Sequence, residues 1–341
     1  MLEVGAGRAD ITAFYKGVGM MGYGMAHQKV VAEETPLSCR TFVFKDTTTG
    51  KKIAFVNAEI CFITIAIKKA VISSLKKEYS KPAFDFDNVM LTAQHTHSGP
   101  GGYSHYALFN FSIPGFVPKV FNTIVKGIVE SIIQADRSLQ PGKLKSGIGT
   151  FDPEINIAFN RSMPAYNSNH DVEKLKDKDW HLARDREMDI IQINREKDEP
   201  IGMINWFGVH TTSIGSDHRK ICYDNKGYAS AYFEKDICVE NKSFIAVFAQ
   251  APCGDVMPNF IWEAKRNRMR GKYPDDYESA KYNGGLQSEK AKEIYQSLKS
   301  SGSLNDTCLD YGLMYVDFSN VEIDHDFILK SIKSESSNPK T

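Results

Sequence analysis

The sequence predicts an α/β protein: mixed β-sheets flanked by helices, with active-site loops at the C-terminal ends of strands. Between Ile53 and Thr92 an apolar run, a helical stretch and a second apolar run follow one another, the order from which α/β folds are built. Three apolar runs, ending near Thr92, Phe207 and Ala249, pass directly into polar loops, and ligands of α/β sheets gather at such strand ends. The 341 residues are 42% hydrophobic and show no internal repeat, low-complexity linker or composition break. Residues 1–341 are therefore expected to form a single domain around a substantial core.

Taken in order, residues 2–12 end in Arg8-Ala9-Asp10-Ile11-Thr12. Gly17 to Gly24 then place four glycines in eight residues, which excludes a helix. A loop lying close against something, or a plain surface turn, would use them. Thr41 to Lys45 and Ile53 to Ala58, rich in Phe and Val and joined through Asp46-Thr-Thr-Thr-Gly50, predict a hairpin. Residues 63–79 read as a helix and 88–92 as a buried strand. Ser104 to Phe121 is mostly apolar and aromatic, and is expected to pack into the core; the alternative is that Phe109 and Phe111 line an entrance for a lipid-like substrate. Val120, Ile124, Val125, Ile128, Val129 and Ile132 recur at helical spacing, with Lys126 and Glu130 opposite.

Lys143 to Phe151 predicts a strand, and the charged stretch Asn167 to Glu187 a solvated surface without chemistry. Asp189 to Asn194 and Ile201 to Phe207 predict a second hairpin, turned at Lys197 to Pro200. Ser243 to Ala249 reads as a strand, residues 276–300 as a helix, and Leu309 to Ile323 as a closing strand.

The stretch Gln94-His-Thr-His-Ser-Gly-Pro-Gly-Gly-Tyr103 stands where a strand ends and a loop begins. His95 and His97, two apart in extended chain, would point the same way and meet a metal ion or substrate oxygen from one side. Gly101 and Gly102 have no Cβ to hold a ligand off the backbone. Nearby histidines also commonly share a surface turn or satisfy core hydrogen bonds, so spacing alone leaves both readings open. His210, in Gly208-Val-His-Thr-Thr-Ser213, and the loop Ala251 to Asn259 stand at two further strand ends. Should the three loops converge, His95 and His210 become candidate metal ligands, because two His with oxygen ligands is a zinc-hydrolase pattern. A nucleophilic Ser98 is disfavoured, since Gly-x-Ser-x-Gly is absent and no base is assigned to it.

Lys plus Arg and Asp plus Glu number 42 each, which argues against nucleic acid or another polyanion as partner. The longest strongly apolar run, Ile60 to Ile67, is far short of a bilayer span, and no signal-type stretch follows Met1. The expectation is a chain that does not cross a membrane. The six cysteines form no C-x-x-C, which disfavours a cysteine zinc cluster.

Val4 to Thr12, Met20 to Gly24, His95 to Tyr103, Asn160 to Ser162, Gly208 to Ser213 and Gly254 to Asn259 together resemble the neutral ceramidase family, in the family's order and across nearly the whole chain. The resemblance implies a zinc-dependent amidohydrolase that cleaves the N-acyl bond of ceramide to sphingosine and a fatty acid. It implies His95 and His210 as zinc ligands, His97 above the scissile amide near its ordinary pKa of about 6.5, and Arg161 at the polar end of the substrate. Gly101, Gly102, Asp255, Met257 and Asn259 are the implied substrate-binding positions. The sequence departs from the family's Gly-Asp-x-Ser-Pro-Asn at Met257, where a thioether replaces a serine important for activity. The family's remaining zinc ligands, a Glu and a Tyr, match no stretch of this chain, so the catalytic domain is expected to be incomplete at its C-terminal end. A non-catalytic relative that binds lipid or a partner is the alternative. The family also implies an extracytoplasmic setting, with peripheral contact to lipid.

Overall fold

The computed structural model describes residues 1–79, 83–237, 244–304 and 308–320. Eight strands form its main sheet: β1 (Leu2–Asp10), β2 (Ser38–Asp46), β3 (Lys52–Ala58), β4 (Val89–Ala93), β5 (Gln140–Thr150), β6 (Glu187–Arg195), β7 (Pro200–Phe207) and β8 (Ile245–Gln250). Their order across the sheet is β8-β7-β6-β5-β1-β2-β3-β4. The interior ladders are antiparallel, including both expected hairpins. Only the outermost pairs, β3 with β4 and β7 with β8, run parallel. Parallel neighbours need a crossover, supplied by α1 (Ile65–Glu78) at one edge and α3 (Asp224–Ile237) at the other.

The sheet folds over on itself. Phe42 of β2 lies so close to Gly202 of β7 that a Cβ there would meet its ring at 2.4 Å. Phe55 of β3 packs edge-on against Trp206 of β7, with ring centroids 5.8 Å apart. Leu2, Val4, Ile193, Ile204 and Val247 fill the space between the two halves, and edge strands β4 and β8 come into contact.

Helices cover both outer faces. Thr64 caps α1, its hydroxyl accepting the Ile67 N–H at 3.1 Å. The α2 helix (Pro118–Arg137) starts on proline, whose missing N–H costs nothing in a first turn, and buries Val120, Ile124, Ile128 and Ile132 against β1 and β2. On the other half, α3 and α4 (Asp276–Ser297) pack together. Their buried positions are largely polar, including Asp224, Asn225, Lys226, Asn283 and Gln287, so α3 carries no apolar stripe for periodicity to reveal.

Two expectations are corrected. Residues 309–317 form no strand, and Phe318–Asn320 is a short 3-10 turn; the rest of the proposed closing strand lies outside the described residues. The aromatic segment is only partly core: Ile113 is 1% exposed, whereas Leu108 is 81% and Phe111 95% exposed. That turn projects from the surface, where neighbouring helices cannot cover it.

Candidate metal centre

Because the sheet folds over, the C-terminal ends of β3, β4, β7 and β8 meet at one place. Gln94 and His95 leave β4 with their N–H groups donating to Ala58 O and Ile60 O, each at 3.0 Å. At His95 the backbone turns left-handed, with φ 77°, a conformation costing a non-glycine residue about 1–3 kcal/mol. The strand alternation expected to align His95 with His97 is therefore broken. The turn itself brings the rings together, with the two Nε2 atoms 3.2 Å apart.

His210, from the end of β7, completes the cluster. Ring centroids are 4.8 Å apart for His95 and His97, 4.6 Å for His95 and His210, and 5.1 Å for His97 and His210. Two outer nitrogens are tied down by backbone: His95 Nδ1 donates to Cys61 O at 2.6 Å and His210 Nδ1 to Cys253 O at 3.0 Å. Donation from Nδ1 fixes the tautomer and leaves each Nε2 an acceptor, that of His95 facing His97 Nε2 at 3.2 Å. Burial, then the neighbouring His95, His210 and Arg161, hold His97 well below the usual histidine range. The expectation of an ordinary pKa there is corrected, for a cation would be desolvated and face like charge. Burial likewise lowers His210, against the opposing pull of Cys253 O.

These residues suit zinc. His95 and His210, with ring centroids 4.6 Å apart and each Nδ1 held by a carbonyl, offer the imidazole donors that zinc takes. His97 Nδ1 is buried without a partner, the kind of orphan a bound group resolves. Cys61 completes a possible metal-holding group with His95 and His97, but less well. Burial pushes its thiol up to about 12, and it lies 3.8 Å from the His95 Nδ1 that already donates to a carbonyl.

Around the imidazoles, Tyr23 stacks edge-on to His97 at 4.8 Å and donates its hydroxyl to Ile214 O at 2.6 Å. Gly22, φ 124°, passes so close that a Cβ would lie 2.4 Å from His97 Cγ, so the glycine loop lies on the site. A pocket of about 360 Å³ opens beside His95 and His210, lined by Phe62, Ile63, Leu91 and Gly254. Arg161 is exposed, its Nη2 donating to Gly254 O. Asp255 accepts the Asn160 side-chain N–H at 2.9 Å, Met257 pairs with Phe159, and Asn259 donates to Thr212 O at 2.8 Å. The space beside Gly101 and Gly102 is taken by the chain itself, through Ile113 and Val117. Ser98 is fully buried.

Sequence reasoning finds the three imidazoles but not what fixes them. Cys61 and Cys253 act through backbone carbonyls, which leave no residue-type signature. Gln250 had one signal, a polar residue closing an otherwise apolar strand.

A folded-over mixed sheet with three imidazoles at its strand ends defines an α/β protein with a candidate metal centre. The sequence matches the neutral/alkaline non-lysosomal ceramidase N-terminal family over residues 2–339, and the chain belongs to that family. It is 36% identical over 326 residues to the neutral ceramidase of Pseudomonas aeruginosa, covering 95% of this chain and 46% of that protein. It is 35% identical to neutral ceramidase A of Dictyostelium discoideum, covering 84% of this chain and 39% of that protein. The crystal structure of the Pseudomonas aeruginosa neutral ceramidase superposes with a TM-score of 0.79 at 36% identity, over 87% of this chain and 45% of that one. The chain thus spans less than half the length of these relatives. Among the described residues no helix is long and apolar enough to cross a membrane.

Proposed function

We propose that residues 1–341 act as one catalytic domain of a zinc-dependent amidohydrolase that cleaves the N-acyl bond of ceramide, giving sphingosine and a fatty acid. The observation that carries this reading is the meeting of three imidazoles, two of them held at Nδ1 by backbone carbonyls so that each Nε2 keeps a lone pair for a metal. His95 and His210 would hold zinc. When bound, zinc supplies a Lewis acid that polarises the acyl carbonyl and lowers the pKa of its water to about 7.

The chain's own groups would do the rest. A neutral His97 has one N–H and one bare nitrogen. It would donate to the acyl oxygen as charge develops, or take a proton and pass it to the departing amine. Arg161, fixed on Gly254 O, would hold the polar end of the substrate beside Asp255 and Asn259, since Ile113 and Val117 fill the space at Gly101 and Gly102. The pocket formed by Phe62, Ile63 and Leu91 would take an acyl chain. Met257 cannot give the hydrogen bond a serine gives, and this favours the second reading, a relative that binds lipid without turning it over.

Zinc content and ceramide hydrolysis, measured on the parent and on His95→Ala, His210→Ala and Met257→Ser, decide between them. The amidase should carry about one zinc, lose it with either histidine, and turn over ceramide. A parent without zinc sinks the metal reading. Zinc and ceramide binding without turnover, in both the parent and Met257→Ser, establishes the binding relative.

A further inference from the structure

We infer that Gln250 is a positioning residue that sets the distance between the two histidine loops by clamping both with a single side-chain amide. Its Nε2 lies 2.7 Å from Val209 O, 2.9 Å from Gln94 O and 2.9 Å from Thr211 Oγ1. The carbonyls only accept, so the atom facing them is the nitrogen, and its two N–H bonds serve three acceptors. Val209 is the residue before His210, and Gln94 the residue before His95. Thr211 closes the arrangement, its hydroxyl donating to Gln94 O at 2.6 Å and its carbonyl accepting the His97 N–H at 3.4 Å.

The place of the clamp explains why one is needed. The two loops leave strands on opposite edges of the sheet, β4 being one edge and β7 lying next to the other. Among the described residues no strand ladder joins those edges; beyond the backbone bond from His97 N–H to Thr211 O, side chains across the seam set their spacing. Gln250 ends β8, opposite Phe207 in the parallel register, and so stands at that seam. Three residues on, Cys253 O holds His210 Nδ1. One short segment therefore sets both how far the His210 loop stands from the His95 loop and how its ring is turned. Groups that orient metal ligands typically change metal affinity 10–100-fold when removed, by roughly the cost of repositioning the ligands.

Gln250→Met keeps the length and removes the donors. Hydrogen exchange on the metal-free chain is the first readout and does not depend on the zinc reading. Exchange should rise together, about tenfold, in peptides covering residues 94–98 and 209–213. The second readout, which rests on the zinc reading, is zinc affinity by chelator competition, expected to weaken about 10–100-fold. Ser131→Ala, which breaks a buried hydrogen bond to Thr41 far from the seam, is the stability control and should do neither. Thr211→Val loses one arm only. It should give a smaller effect, and the double variant less than the sum, and it serves alone if Gln250→Met does not fold. Exchange that rises in one loop only, in neither, or equally in the control overturns the clamp. Coupled exchange in a parent that binds no zinc keeps the clamp and removes the metal from its purpose.

Discussion

At the scale of single residues, the centre is held by backbone. His95 takes a left-handed turn, and the carbonyls of Cys61 and Cys253 choose which nitrogen of His95 and His210 is free. Gly22 has the opposite duty, leaving room for His97. Its φ of 124° and the 2.4 Å approach to His97 Cγ predict that Gly22→Ala pushes the ring aside. Activity should fall about 100-fold, the order expected for a misplacement near 1 Å. Bound zinc should stay near the parent level, because neither His95 nor His210 is touched. Zinc lost along with activity would make His97 a ligand. The histidines themselves were legible because each follows an apolar strand into a polar loop. Their partners were not, since a carbonyl oxygen belongs to every residue type. The left-handed turn escaped too, because His is not a residue that demands it.

At the scale of elements, two segments behave differently from what their composition suggests. The stretch around Leu108 to Phe111 reads as core from its aromatics, yet its tip is exposed while Phe109 packs on Phe62 with ring centroids 4.6 Å apart. Since Phe62 lines the pocket, the double change Phe109→Ser, Phe111→Ser should lower turnover of ceramide in vesicles while a short, soluble substrate is spared. Equal turnover of both would remove the segment from lipid handling. Helix α3 was invisible in the sequence for the reverse reason, its buried face being polar. Within it Lys226 is fully buried, its Nζ donating to Phe207 O at 2.8 Å, and burial lowers its pKa to about 7. Between that value and the ordinary value near 10.4, the unfolded chain keeps the proton and the folded one releases it, so stability should rise with pH. The slope is at most about 1.4 kcal/mol per pH unit. Urea denaturation from pH 7 to 10 should show this rise in the parent and not in Lys226→Met.

At the scale of the molecule, the seam is fastened at a second place by charge. Arg40 of β2 pairs with Glu59 at 2.5 Å and with Glu234 of α3 at 2.8 Å, and Glu234 also accepts the Ala246 N–H of β8 at 3.0 Å. Burial raises Glu59. Burial pushes Glu234 up as well, but the Arg40 charge and hydrogen bond, the Arg8 charge and the Ala246 N–H together outweigh it and hold that carboxyl below its usual range. Arg40→Met would strip Glu59 of its paired cation and leave Glu234 with Arg8 at 3.1 Å, and should cost about 3–5 kcal/mol, read as a lower urea midpoint. A shift near zero would mean the carboxylates take up protons at no net cost. The hairpins, the α1 crossover and α2 were all readable, because each buries apolar residues at a regular period. The folding-over of the sheet was not, for it rests on contacts such as Phe42 with Gly202 that join residues far apart in the chain.

That folded-over sheet also dictates an order of events during folding. His95 and His210 stand on strands separated by more than a hundred residues, and contacts of such long range form slowly. The chain can build either half, with its own hydrogen-bonded hairpin, before the edges meet. Until they do, β4 and β8 do not cover one another, and uncovered strand edges are the feature through which partly folded chains stick to one another. The imidazole cluster does not exist in any such half-made form. Metal uptake would therefore serve as a clock for the last step of folding, and a stopped-flow signal from bound metal should lag the far-ultraviolet signal of the hairpins.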